Sequence, residues 1–247
     1  MKKWFPHISD HIGGGYIFCI FAVWLVVFVV VYSWFPMIMA GLWENPVAMS
    51  WAEVTVCGVL GLVMMALLKE HLKDAWLYFS LNKKLILKPM LIALGLMVAW
   101  AVISVEVLYY YWIHPVALLN AIPVSPITIM MTSGSVVQNN PVAGTLVMTL
   151  LVPFSVCAMF YSTAFAPVCT RNRWLGYLTM AAVALLAVLG DVFWYAEENY
   201  AVIEYLLRLP IHMFACWAYQ KTDNILAPIM TLGAFNFLAS LAAIFLM

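Results

Sequence analysis

The chain has 247 residues, 66% hydrophobic and only 9% charged, with eleven Lys and Arg against eleven Asp and Glu. A soluble domain carries roughly 25% charged residues. This chain lacks the polar groups to cover a water-facing surface, and its mean hydropathy of +1.01 places it among polytopic membrane proteins, with the lipid bilayer as its surroundings. No basic face exists outside short loops, which excludes nucleic acid as a partner.

Apolar runs near the 20-residue length of a membrane crossing predict seven transmembrane helices. In chain order they are Tyr16–Met39, Trp51–Leu68, Leu91–Ile113, Val142–Ala164, Trp174–Tyr195, Val202–Tyr219 and Ile225–Leu246. The expected fold class is an all-α polytopic bundle in one transmembrane domain over 1–247, with N-terminal helices in 1–113 and a core in 142–247.

The first span reads as a retained helix. It is long, lacks a small-residue cleavage site and follows Gly13-Gly14-Gly15. Basic residues cluster in alternate connections: Lys2 and Lys3; Lys69, Lys73, Lys83, Lys84 and Lys88; Arg171 and Arg173; Lys221. Ten of the eleven therefore fall on one side, which by the positive-inside rule puts the N-terminus inside and the C-terminus outside. Arg208, within the sixth span, is the exception.

Two connections are long. Lys69–Lys88 aligns Leu68, Leu72, Trp76 and Phe79 on one helical face, opposite Lys69, Lys73 and Asp74. It reads either as an amphipathic helix at the inner membrane surface or as an extension of the second span. His114–Pro141 holds four prolines and reads either as a re-entrant, partner-facing segment or as a plain outer loop. The five cysteines show no CxxC spacing and lie in or beside spans, where cysteine is an ordinary small apolar residue.

Ionisable residues at membrane depth are costly and point to function. Here they are Glu106, Asp191, Glu204, Arg208 and His212. Glu204, Arg208 and His212 are spaced i, i+4, i+8 on one face of the sixth span, and Pro210 between the last two frees a backbone carbonyl. The stripe either lines a polar cavity or site with Glu106 or Asp191, or is an ion pair holding helices together beside a satisfied interior histidine.

The stretch Tyr219-Gln-Lys-Thr-Asp-Asn-Ile-Leu-Ala-Pro-Ile229, followed by Asn236, resembles the closing motif of the CPBP (Abi or CAAX-protease-like) intramembrane protease family. Members run Tyr-x-x-Thr-Gly-Asn/Ser-Ile/Leu, then Ala-Pro-Ile, then His-x-x-x-Asn. The resemblance covers roughly residues 142–247 and implies a CPBP-like helical bundle. In active members, Glu-Glu-x-x-x-Arg and Phe-x-x-x-His on earlier helices join His-x-x-x-Asn to polarise a water or bind zinc. That chemistry needs carboxylate as base and imidazole as ligand or oxyanion partner.

Carried over position by position, the resemblance implies that the glutamates are replaced by Ala158 and Met159, and the arginine by Thr163. The two histidines are replaced by Phe193 and Leu232, while Asn236 is retained. Glu197-Glu198 does not substitute, since Val202 stands where the motif needs arginine. One asparagine does not supply the three or four ligands of a metal site, so neither a catalytic residue, a metal nor a cofactor is expected.

The leading expectation is a catalytically inactive CPBP-like membrane protein, a scaffold or partner subunit for another membrane or cell-envelope protein in a bacterial cytoplasmic membrane. The alternatives are an active intramembrane metalloprotease or peptidase with a displaced site, and a transporter or channel subunit or bacteriocin-immunity protein.

Overall fold

A computed structural model describes residues 55, 59, 62, 63, 65, 66, 68–104, 137, 141–195 and 198–246. Glu106, the first span, most of the second and nearly all of the 114–141 connection lie outside the described residues, as do the side chains of Met159, Asp191, Phe193 and Glu204.

The described residues form helices and no strand. Helix α1 spans Lys69–Leu81 and α2 spans Lys83–Ile103. Helix α3 runs continuously over Pro141–Arg171, α4 spans Arg173–Tyr195, α5 spans Glu198–Thr222 and α6 spans Leu226–Leu246. Three of them, α2, α3 and α6, are long and apolar enough to cross a membrane. Helix α4 lies where the fifth span is expected, and α5 overlaps the sixth expected span and runs past it at both ends.

Two boundaries differ from expectation. Helix α2 starts at Lys83, eight residues before Leu91, and takes Lys83, Lys84 and Lys88 into its first turns. Lysine stems are apolar and reach water from a helix end, so lysines that close a hydropathy window do not end a helix. Helix α3 continues past Ala164 through Pro167 to Arg171.

Helix α3 changes its winding twice. Its α-helical turns are interrupted by π-helix over Val147–Leu151 and again over Cys157–Phe165. Each wide stretch ends two residues before a proline, Pro153 and Pro167. A proline has no N–H to give the carbonyl four residues back, and its ring crowds that carbonyl. Widening the preceding turns relieves the crowding, and π-turns are often found where a helix serves a site.

The helices alternate in direction about one end of the bundle. There the α5–α6 turn meets α1, because Asn224 Nδ2 donates to the Ala75 carbonyl at 2.7 Å. The α3–α4 junction meets the same end of α5: the Tyr177 hydroxyl donates to Gln220 Oε1 at 2.9 Å, and Gln220 Nε2 reaches Cys169 Sγ at 3.6 Å. The start of α2 joins them through Ile86 and Met90, packed with Ala227 and Phe79. Lys69, Lys73, Lys83, Lys84, Lys88, Arg171, Arg173 and Lys221 are all exposed around this end.

The turn chemistry follows the residue types. Asp223 takes a left-handed φ of 52° and its N–H donates to the Tyr219 carbonyl, closing α5. Asp is among the few non-glycine residues that tolerate this conformation. Asn224 then caps α6, its Oδ1 accepting the Leu226 N–H at 2.9 Å. Asn172 does the same for α4 through the Trp174 N–H.

Helix α1 contradicts the face expected for it. Leu68, His71 and Ala75 are buried, with Leu72 and Phe79 packed behind them, whereas Trp76 is 63% exposed. The docked stripe thus follows i, i+3, i+4, i+7 from Leu68, because the Ala75 carbonyl faces the α5–α6 turn. The helix ends at Asn82, whose backbone and side-chain N–H groups both turn back to the Tyr78 carbonyl.

Candidate functional site

A polar layer crosses the bundle near its middle. At 1.5 Å per residue, ten residues of helix put His212 about 15 Å from the basic end. Asn236 lies the same ten residues beyond Leu226.

His212 is half-buried on α5. Its Nδ1 is hydrogen-bonded to the hydroxyl of Tyr161, 2.7 Å away, and the rings meet edge to face with centroids 6.1 Å apart. Tyr161 is fully buried and stands in the second π-stretch of α3. Cys157 and Cys216, one turn from Tyr161 and His212 respectively, are buried free thiols, as is Cys169.

Sequence reasoning singled out His212 and missed Tyr161. The available signal was a tyrosine in an otherwise apolar span, since a buried phenol needs a polar partner.

A second polar contact of the layer is Asn236 Nδ2 donating to the Met148 carbonyl at 2.9 Å. This bond has a local cause. In the first π-stretch the Val152 N–H is taken by the Val147 carbonyl, five residues back. The next donor in that register is residue 153, a proline. The Met148 carbonyl is thereby left without a main-chain donor, and the buried Asn236 amide supplies one.

Gly233, one turn before Asn236, lets α6 approach this spot. A Cβ there would lie 2.6 Å from the Thr149 carbonyl oxygen and 3.9 Å from Pro153 Cγ. Small residues at such contacts are how helices pack in lipid.

Three of the remaining expected positions are described, and all three are buried. Ala158 is fully buried, Leu232 is 3% exposed and Thr163 is 7% exposed. Ala158 and Leu232 both belong to the larger apolar core cluster, which joins α3, α4, α5 and α6 to Ala75 of α1 and to Met97 and Ala101 of α2. Arg208 is half-buried on α5, four residues before His212. The carbonyl at Leu207, beside Pro210, accepts the Trp100 indole N–H at 3.0 Å, which ties α5 to α2. Helix α5 continues through Pro210 without a break.

His212 and Asn236 thus bond to different residues of α3, and no group of three His, Cys, Asp or Glu side chains with metal-binding geometry forms among the described residues. Chemically, the Tyr161–His212 pair is able to hold or pass a proton. The Asn236 amide is already spent on the main chain.

Fold and site together define the class: the described residues form an all-helical bundle, three of whose helices are long and apolar enough to cross a membrane, with buried polar contacts between α3, α5 and α6. No family model, no curated protein and no solved structure matches the chain.

Proposed function

We propose that this protein is a catalytically inactive, CPBP-like scaffold or partner subunit, seated in a bacterial cytoplasmic membrane by about seven helices, with its basic end and N-terminus inside. The carrying observation is the state of the motif positions. Where the family chemistry needs a carboxylate and a histidine, Ala158 and Leu232 are closed into the apolar core, and the retained Asn236 repairs the main chain at Pro153. Buried, unpartnered carboxylates are costly, so replacing them with packed apolar groups favours a stable bundle. Such a bundle acts through its helix surfaces, on another membrane or envelope protein.

A second reading has its own observation. The Tyr161–His212 bond in a π-helical segment is a mid-depth polar pair, which an active enzyme with a displaced site, or a conduit subunit, would use.

One experiment separates the two. Cells lacking the protein lose a membrane or envelope partner from their proteome, and re-expression of Glu204→Gln or His212→Ala variants restores that partner as fully as wild type. A His212→Ala protein that folds with an unchanged melting temperature yet fails to restore it sinks the scaffold reading. Stoichiometric zinc in the purified wild-type protein would do the same.

A further inference from the structure

Helix α1 carries two apolar surfaces, one packed against the described bundle and one exposed. Leu68, His71 and Ala75 face inward, and the Ala75 carbonyl holds the α5–α6 turn. Beyond Ala75 the outer side becomes apolar: Trp76 is 63%, Leu77 60% and Leu81 76% exposed, and Leu85 at the start of α2 is 60% exposed. The charges of α1 are confined to its first half, at Lys69, Glu70, Lys73 and Asp74. The outer side is thus polar at the start of α1 and apolar at the elbow formed by Asn82.

Three exposed lysines, Lys83, Lys84 and Lys88, frame that elbow in the first turns of α2. Helix α2 has 21 residues and is long and apolar enough to cross a membrane. At 1.5 Å per residue it measures about 31 Å, the thickness of one hydrocarbon core. A crossing of that length puts Lys83 and Lys84 at headgroup level and lets Lys88 reach there by its stem.

We infer that the α1–α2 elbow is an interfacial anchor that binds anionic phospholipid headgroups of the membrane in which the chain sits. Trp76, Leu77 and Leu81 enter the boundary between headgroups and acyl chains, as an aromatic and apolar edge does at an interface. Lys83, Lys84 and Lys88 meet the phosphates, and the local excess of basic over acidic residues favours an anionic lipid. The inference does not depend on whether the protein is a scaffold or an enzyme.

The test is thermal unfolding of the full-length protein in mild detergent with added phosphatidylglycerol or phosphatidylcholine of matched acyl chains. A ligand bound only by the folded state raises the melting temperature. Phosphatidylglycerol is expected to raise it by about 2–4 °C more than phosphatidylcholine, the scale of a modest gain for a protein this size. A Lys83→Gln, Lys84→Gln, Lys88→Gln variant loses the difference, and the corresponding triple arginine variant keeps it. The difference in wild type also shrinks as salt rises, because headgroup contacts are screened.

Equal shifts with the two lipids overturn the proposal, and are the outcome expected if a protein partner covers the elbow. A preference that survives in the glutamine variant also overturns it. If that variant does not fold, a wild-type preference unchanged between low and high salt has the same force.

Discussion

Asn236 shows how a residue can resemble part of a catalytic motif and still have a purely structural cause. Its amide donates to a carbonyl that Pro153 and the π-turn leave without a main-chain donor. Losing such a partner exposes the desolvation cost of a buried acceptor, about 1–3 kcal/mol. Asn236→Ala is therefore expected to lower stability by that amount, read as a fall in the detergent melting temperature. Pro153→Ala returns an N–H to residue 153, so in that background the same substitution is expected to cost less. The double-mutant cycle measures the coupling, and additive effects would contradict the account. The sequence made Asn236 visible but not its role, because the role depends on the winding of another helix.

At the scale of elements, α3 is the segment that periodicity describes least well. A π-turn holds more residues than an α-turn, so two wide stretches shift which side chains face α4, α5 and α6. Tyr161 meets His212 only in that altered register. The helices α4, α5 and α6 were legible to within a few residues, because regular apolar helices with an Asn172 or Asn224 cap announce their ends. The outward placement of Trp76 on α1 was not legible. Hydrophobicity marks an apolar face but not which of two apolar faces the bundle takes. The contact of α6 with α3 gives a sharp prediction. A methyl group at Gly233 meets the Thr149 carbonyl oxygen at 2.6 Å, backbone that moves only with its helix. Gly233→Ala is expected to destabilise by about 1–3 kcal/mol, the range for overpacking, again read as a melting-temperature shift. An unchanged melting temperature would mean that the helices part freely there.

At the scale of the whole molecule, the alternation of basic residues along the sequence becomes a spatial fact. Arg171, Arg173, Lys221 and the lysines of α1 and α2 gather at one end because Asn224, Gln220 and Tyr177 tie the junctions together. Under the proposed orientation that end faces the cytoplasm. A phosphatase reporter that works only outside the membrane is then expected to be active when fused after Met247 and inactive when fused after Asn82. The reverse pattern would invert the molecule. The bundle was readable from composition and charge because lipid allows few architectures. The polar layer was only half readable, since a single histidine or asparagine in a sequence does not reveal its partner on a distant helix.

The wide turns of α3 bear on how such a chain can change over generations. Each holds a residue that a tighter helix would not need. A one-residue deletion within Cys157–Phe165 leaves a narrower, still continuous helix and keeps the capping residue Asn172 at its end in place. Outside the two wide stretches the same deletion rotates everything that follows. Helix α3 is thus the part of the molecule with slack in its length, and loss of Tyr161's alignment with His212 is the first consequence of using it.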